Sequence, residues 1–366
     1  MKRLVVVVVL LTASLCAAKT EIGDLQDVPF RIDVPDNWNH SLVVYYHGYR
    51  TDPEKFKNEP LNPVLAEFTK RGYALIQSAY WRTGWAVEQA VPETEALRKY
   101  FVQKHGAPKE TYVAGHSMGG FLTVDTIERF PETYAAGLDL CGAVESAPGL
   151  LKRAFDFEVV FDYYYPGLLP PPNNVPANFQ PNEQLSKEVS RQLHEHPDRA
   201  AALRQFARLK KDEEVAGNAV FLAFVLRDAQ ERSGGNPFSN RDVIYTGSQD
   251  DNRLNDGVKR YDAKASLAYL EANATLTGKL QRPVLAIHTS YDPLVSVEIP
   301  DNYAFLTKVN GSGTMFVLQY VEHDGHCAIT PAEVGKAFDE LLSWTHEPPV
   351  KPLGGHLTVA ASAAAK

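Results

Sequence analysis

The sequence contains a serine, an aspartate and a histidine in an order that favours nucleophilic catalysis. Ser117 lies in "GHSMGG", Asp292 in "SYDPLV" and His326 in "HDGHCA". A serine hydroxyl is a poor nucleophile until a base removes its proton, and a histidine oriented by a carboxylate is a common base in acyl transfer. The three residues therefore predict a hydrolase in which Ser117 attacks an acyl group, provided that the fold brings them together.

The residues around Ser117 predict a sharp turn between a strand and a helix. The run "ETYVAGHS" (110–117) has the composition of a strand, and a helix is expected from Met118 to about Phe130. Glycine and serine occur in many turns, so the Gly-x-Ser-x-Gly pattern alone has little specificity. A strand before the serine and a helix after it would hold the hydroxyl at the top of a sheet, beside the amide of Met118.

Two histidines compete for the role of the base. His326 follows a glycine in the loop before the last predicted helix, whereas His323 adjoins the end of the preceding strand. His326 is therefore favoured, and His323 is interpreted as a surface or supporting residue. Asp292 lies just beyond the penultimate strand, where the acid of such a triad is expected. Asp324 is too close to both histidines in sequence and is interpreted as a turn residue.

Acyl transfer also needs amide donors for the oxyanion that forms during the reaction. The stretch "YYHGYR" (45–50) follows the first strong core strand, and its glycine lets the backbone turn inward. The amides of Tyr49 and Met118 are the predicted donors. His47 is interpreted as a residue that braces this loop.

Strand-like apolar runs alternate with amphipathic helices on both sides of a long insertion. The runs include "SLVVYYHG", "YALIQSAY", "AAGLDLCGA", "PVLAIHTS" and "TMFVLQYVEH". Such alternation predicts an α/β fold with a mostly parallel sheet that helices cover on both faces. We expect a core over 19–143 and 271–346, a large and mainly helical cap over 144–270, and a flexible C-terminal tail over 347–366.

Together these motifs resemble the α/β-hydrolase fold family, in particular secreted bacterial serine esterases and prolyl-oligopeptidase-like hydrolases. The resemblance rests on the "HG" of the first loop, the "GHSMGG" turn and the loops that carry the acid and the histidine, and it covers roughly 28–143 and 280–346. It implies the α/β-hydrolase fold, a triad of Ser117, Asp292 and His326, and no cofactor. It indicates the catalytic machinery and not the substrate.

The substrate side is predicted from "SAYWRTGW" (78–85), which follows a strand. Ligands of open α/β sheets bind at the carboxyl ends of the strands. We therefore expect Tyr80, Trp81, Arg82 and Trp85 to line an aromatic pocket, although each of them could instead pack beneath the cap. Such a pocket favours a small-molecule or oligomeric substrate with aryl or hydroxycinnamate esters over long-chain lipids.

The N-terminus has the pattern of a secretory signal peptide over residues 1–18. Lys2 and Arg3 precede an apolar run, and small residues follow Cys16. The run is too short for a membrane span, and a lipoprotein signal anchored at Cys16 fits less well because bulky Leu15 precedes it. The protein is therefore expected to be secreted or periplasmic. Its formal net charge of -8 and its lack of a Lys/Arg-rich block exclude nucleic acid as an expected partner.

Export would leave Cys141 and Cys327, which the sequence allows either to form a disulfide or to be two buried thiols. The crowding of Cys327 with three other potential ligands ("HDGHC") also raises the possibility of zinc, but a further ligand at suitable spacing is missing, so no metal is expected.

Two other functions are compatible with the same motifs. A serine peptidase would use the same triad and would need a group in the cap that binds a peptide N-terminus or a proline. A non-catalytic binding protein on a hydrolase fold would usually have a broken triad, and all three triad residues are present here.

Overall fold

The computed structural model describes residues 19–359, so the predicted signal peptide (1–18) lies outside the described residues. Nine strands of the described residues form one sheet, in which they lie side by side in the order β1-β2-β4-β3-β5-β6-β7-β8-β9. The strands are β1 Lys19–Leu25, β2 Val28–Val34, β3 Leu42–Tyr46, β4 Ala74–Ser78, β5 Thr111–His116, β6 Ala136–Leu140, β7 Val284–Tyr291, β8 Phe316–Asp324 and β9 Gly355–His356. Strands β3 to β9 pair in parallel, whereas β2 pairs antiparallel with both β1 and β4.

Eleven α-helices connect and flank these strands within the described residues. They are α1 Pro63–Lys70, α2 Val87–His105, α3 Met118–Arg129, α4 Ala147–Tyr164, α5 Glu183–Glu195, α6 Pro197–Ala207, α7 Asp212–Ser233, α8 Asp251–Gly257, α9 Ala268–Asn273, α10 Glu298–Val309 and α11 Pro331–Thr345. None of the helices within 19–359 is both long enough and apolar enough to cross a bilayer.

The central strands are buried on both faces. In β3, Leu42, Val44 and Tyr46 belong to the apolar core on one face, whereas Val43 and Tyr45 belong to the core on the other face. The first core includes residues of α2, α3 and the cap, and the second includes residues of α1 and α11. Continuous apolar runs are what a strand covered on both faces requires, so the predicted α/β architecture is confirmed.

Capping residues in the sequence set the bounds of the two helices that cover the second core. The side chain of Asn62 accepts a hydrogen bond from Val64 N at 2.9 Å before α1. Thr330 and Glu333 form a reciprocal capping box at the start of α11, with Pro331 in its first turn. Each first turn thus finds acceptors for its free amides, which fixes where the two helices begin.

The insertion between β6 and β7 is mainly helical. It contains α4 to α9, and α7 packs against α4, α5 and α6. Helix α9 crosses the predicted boundary between 270 and 271, since it starts before that boundary and ends after it.

The C-terminal segment is more ordered than the predicted flexible tail over its described part. Gly355 and His356 pair in parallel with β8, and Leu357 N donates to Tyr320 O at 2.9 Å. The Leu357 side chain is buried in the second core. The prediction over 347–366 is therefore wrong for 347–359, because this segment covers the edge of β8; residues 360–366 lie outside the described residues.

Candidate active site

Ser117 lies at the turn between β5 and α3 with a backbone that serine rarely adopts. Its φ is +56° and its ψ is -122°. Its amide donates to Leu140 O at 3.0 Å, so the end of the neighbouring strand β6 fixes the turn. A non-glycine residue is held at positive φ only when its surroundings overdetermine it, and such residues are concentrated at functional sites.

The two glycines that flank Ser117 permit close contact between backbones. A Cβ on Gly115 would lie 2.3 Å from Gly119 O, and one on Gly119 would lie 2.1 Å from Tyr46 O. Helix α3 thus begins against the end of β3 at a distance that no other residue allows. The Gly-x-Ser-x-Gly spacing is therefore a packing requirement of this turn.

Ser117, His326 and Asp292 form one hydrogen-bonded chain. His326 Nε2 lies 2.8 Å from Ser117 Oγ, and His326 Nδ1 lies 2.7 Å from Asp292 Oδ2. The carboxylate can only accept, so Nδ1 carries the hydrogen and Nε2 is left to accept the hydroxyl proton. The structure thus brings together the three residues that the sequence predicts, in the tautomer that suits a general base.

The Asp292 carboxylate is buried, yet its surroundings favour the charged form. Its Oδ1 accepts hydrogen bonds from Leu294 N at 2.9 Å and Val295 N at 2.8 Å. Burial alone would raise the pKa of Asp292, but the hydrogen bond and charge of His326 and the two amides outweigh it and hold the pKa below its usual value. The acid therefore stays ionised beside the imidazole.

His288 supports the same turn from within the sheet. This buried histidine lies 2.9 Å from Val295 O through its Nε2, which also lies 3.7 Å from Asp292 Oδ2. His288 was not predicted as a site residue, although its place in "AIHTSYD", four residues before Asp292, is a usable signal.

The competing histidine and acid lie elsewhere. His323 Nε2 lies 2.9 Å from Glu333 Oε1 at the start of α11, and Asp324 forms an ion pair with Lys210 of the cap at 2.8 Å. Both residues therefore contribute to packing around the His326 loop, and neither belongs to the hydrogen-bonded chain.

Cys141 and Cys327 form a disulfide with a Cα–Cα distance of 5.3 Å. The two residues are therefore not a pair of buried thiols in this structure.

Within residues 19–359 no group of three or more histidine, cysteine or carboxylate side chains is arranged to hold a metal ion.

The loop of the predicted oxyanion donor Tyr49 is held by two histidines. Gly48 N donates to His116 Nε2 at 3.2 Å, and His116 Nδ1 lies 2.7 Å from Tyr45 Oη. Burial lowers the pKa of His116 to about 3, so the ring is neutral and keeps its acceptor for Gly48. His47 Nδ1 lies 2.7 Å from Gly48 O, which is a bracing contact of the predicted kind.

A cavity of about 620 Å³ opens at Ser117 between the core and the cap. Tyr49 and Met118, the predicted oxyanion donors, line it beside Ser117 and Asp292. Most of the remaining wall is apolar and comes from the cap, with Leu151, Phe157, Phe206, Phe221, Leu222 and Val225 among its residues. Such a mostly apolar cleft is typical of small-molecule sites.

Trp85 is the one residue of the four predicted for substrate binding that lines this cavity. Trp81 is 66% exposed, and Arg82 forms a surface ion pair with Glu231 at 3.0 Å. The chain leaves the sheet after β4 in a loop that turns these two side chains toward solvent, so their predicted placement is wrong.

Tyr80 is also displaced from the predicted pocket. It is buried with φ +57°, and its ring stacks on His47 at 3.9 Å between centroids. Its hydroxyl donates to His47 O at 3.3 Å. Tyr80 therefore packs against the loop that carries Tyr49 and not beneath the cap, so neither its predicted place in the pocket nor the alternative is correct.

Helix α7 of the cap contacts the loops around Ser117. Asn218 Nδ2 donates to Pro293 O at 2.7 Å, and Glu214 accepts a hydrogen bond from Tyr291 Oη at 2.6 Å, so two residues of α7 bind the loop of the acid. The ring of Phe221 meets that of Tyr49 edge-on at 5.2 Å. The cap is thus a fixed wall of the site in this structure.

No protein-family model matches the chain, and no curated protein sequence matches it. Solved structures are similar to it at low sequence identity. An esterase from Aspergillus oryzae is 13% identical, with 89% of this chain and 78% of that chain covered and a TM-score of 0.50. The Pyrococcus furiosus esterase Pf2001 is 14% identical, with 89% and 90% covered and a TM-score of 0.49. Feruloyl esterase B from Aspergillus oryzae is 13% identical, with 90% and 80% covered and a TM-score of 0.48.

At such low sequence identity, similarity to a solved structure is evidence about the fold and not about the activity. The mostly parallel sheet, the strand–turn–helix at Ser117 and the likeness to the first of these structures agree with one another. The protein has the α/β-hydrolase fold.

Proposed function

We propose that the protein is a serine hydrolase that cleaves carboxylic esters through an acyl-enzyme intermediate. The observation that supports this most strongly is the hydrogen-bonded chain from Ser117 through His326 to the buried Asp292 at the wall of the cavity. As Ser117 Oγ attacks the ester carbon, His326 Nε2 takes the hydroxyl proton and then gives it to the leaving alcohol. Water, deprotonated by the same nitrogen, releases the acid and restores Ser117.

Asp292 and two main-chain amides complete the mechanism. The carboxylate stabilises the imidazolium that forms in each step, and it keeps the proton on His326 Nδ1 before the reaction. The amides of Tyr49 and Met118 would stabilise the oxyanion, and the second of these begins a helix, whose N-terminal end favours negative charge.

The composition of the cavity favours esters over peptides. Its acidic residues outside the triad are already paired: Asp156 with Lys152 at 2.6 Å and Glu298 with Arg208. The α-amino group of a peptide would have to compete with these cations for either carboxylate. The aromatic ring of Trp85 in the cavity wall favours substrates whose acyl group is of the aryl or hydroxycinnamate type.

Two features support an exported enzyme. Residues 1–18 have the charge and apolar pattern of a secretory signal. The Cys141–Cys327 disulfide is of the kind that persists in oxidising compartments.

The test is a substrate panel with the purified chain that lacks residues 1–18. We expect turnover of p-nitrophenyl esters and methyl hydroxycinnamates, no turnover of aminoacyl p-nitroanilides, and labelling of Ser117 by a fluorophosphonate. Ser117→Ala should lose both turnover and labelling. Turnover of anilides without esters would replace the esterase by a peptidase, and an unlabelled Ser117 would contradict the whole mechanism.

A further inference from the structure

A buried ion pair on α7, formed by Asp228 and Arg232, binds the main chain of the loop that carries Trp85. Asp228 Oδ2 accepts a hydrogen bond from Trp85 N at 2.6 Å, and Arg232 Nη2 donates to Thr83 O at 3.0 Å. The two side chains bind each other at 3.0 Å and are 7% and 2% exposed. Burying two charges costs solvation free energy, so this pair needs several good hydrogen bonds in return, and the main chain at 83–85 supplies two of them.

The loop is shaped to receive the carboxylate. Gly84 has φ +78°, and a Cβ there would lie 2.6 Å from Asp228 Oδ2. Only glycine lets the carboxylate of Asp228 lie directly against this backbone. The contact therefore depends on a residue of each segment: Gly84 in the loop of the core and Asp228 on the helix of the cap.

The position of the Trp85 ring depends on this main-chain contact. Its indole lines the cavity beside Ser117 and packs against Phe121 at 5.7 Å between centroids. Nε1 of the indole is buried and has no hydrogen-bond partner among the described residues. Packing and the backbone therefore fix the ring, and Asp228 fixes the backbone.

We propose that Asp228, held in place by Arg232, is a positioning residue that sets which acyl groups fit the Ser117 cavity. This inference rests on the proposed ester hydrolysis. Release of Trp85 N lets the indole shift, which changes the wall for large acyl groups that touch it. A small acyl group such as acetyl offers far less surface to that wall, so its hydrolysis should depend much less on Asp228.

The experiment compares kcat/KM for p-nitrophenyl acetate and p-nitrophenyl cinnamate in four proteins: the parent, Asp228→Ala, Trp85→Ala and the double variant. We expect Asp228→Ala to change the cinnamate-to-acetate ratio at least tenfold. Because both residues act through the same ring, the double variant should have the ratio of Trp85→Ala alone. Asp228→Asn keeps an oxygen acceptor for Trp85 N and should restore most of the parent ratio.

The matched control is Asp162→Ala, which removes another buried carboxylate of the cap, paired with Lys259 at 2.7 Å and outside the cavity wall. It should leave the ratio unchanged. If Asp228→Ala does not fold, Arg232→Gln tests the same contact between α7 and the loop of Trp85, because it removes the ionic partner of Asp228. Equal losses for both esters, or additive effects in the double variant, would overturn the inference. Failure of the parent to hydrolyse either ester would instead contradict the proposed function.

Discussion

Cys141, directly after β6, is joined by a disulfide to Cys327, directly after His326. The sulfur of Cys327 lies 3.5 Å from His326 Nε2, the nitrogen that faces Ser117. Residue 140 in turn accepts the hydrogen bond of the Ser117 amide. The covalent bond therefore ties the loop of the histidine to the same strand end that fixes the serine.

Loss of this bond should weaken both the fold and the site. The disulfide closes a loop of 186 residues, and removal of a native disulfide typically costs about 2–5 kcal/mol. For Cys141→Ser/Cys327→Ser we expect a loss of unfolding free energy in this range, measured in urea, and a lower kcat because His326 is less restrained. A reducing agent should reproduce both effects in the parent and change nothing in the double variant. A reduced parent with unaltered stability and kcat would contradict the prediction.

Replacement of Gly119 by alanine should be strongly destabilising. The new Cβ would lie 2.1 Å from Tyr46 O. This oxygen belongs to the main chain of β3, so it cannot move away by a change of rotamer. We expect a loss of more than about 3 kcal/mol in urea unfolding, or no folded protein, since overpacking against backbone is poorly accommodated. The control is Gly217→Ala on α7, where no atom other than those of its chain neighbours and of the backbone of its own helix lies within 4 Å of the added Cβ. This variant should gain about 0.5–1 kcal/mol.

Asp292→Asn should abolish most activity while leaving the protein folded. The asparagine oxygen can still accept from Leu294 N and Val295 N, but the amide nitrogen would face His326 Nδ1 and favour the wrong tautomer. We expect kcat to fall about 10³–10⁴-fold, as for a triad whose acid is replaced in this way. Asp324→Asn is the control, because that carboxylate pairs with a lysine away from the chain of hydrogen bonds. Similar losses in both variants would argue against Asp292 as the orienting acid.

Acid should destabilise the protein through His116. Its pKa is about 3 in the folded state, against about 6.5 in an unfolded chain, because burial disfavours the charged ring. Between these values the unfolded state binds a proton that the folded state does not, so the unfolding free energy falls as the pH drops from about 6.5 toward 3. Urea unfolding of the parent and of His116→Asn at several pH values measures the effect.

The variant at His116 should lose less stability on acidification than the parent. The same substitution at the exposed His356 is the control and should leave the slope of the parent unchanged. Equal slopes in the parent and in His116→Asn would show that another group governs the acid response.

The parts of the site that the sequence could predict are those governed by local rules. Ser117 is recognisable because strand, glycines and helix adjoin it, and α11 is recognisable from the capping box at Thr330. The order along the chain then indicates Asp292 and His326 as partners. Their catalytic roles stay a prediction that the substitutions above test.

The parts that the sequence could not predict depend on long-range contacts. Trp81 and Trp85 lie four residues apart, and contacts with distant residues, such as the hydrogen bond from Trp85 N to Asp228, accompany the burial of one ring and the exposure of the other. Leu357 becomes buried because the edge of β8 is open to it, which no periodicity in a short proline-rich tail reveals. The disulfide could not be distinguished from two thiols because pairing depends on the distance between β6 and the His326 loop.

Strands β6 and β7 are neighbours in the sheet, yet the whole cap is synthesised between them, and Ser117 precedes His326 by 209 residues. A nascent chain that has reached only the cap contains Ser117 without His326 and an apolar strand edge without its neighbour. Exposed edges of this kind are prone to aggregate. A chain that ends before β7 lacks both Asp292 and His326 and is therefore expected to be both inert and poorly soluble.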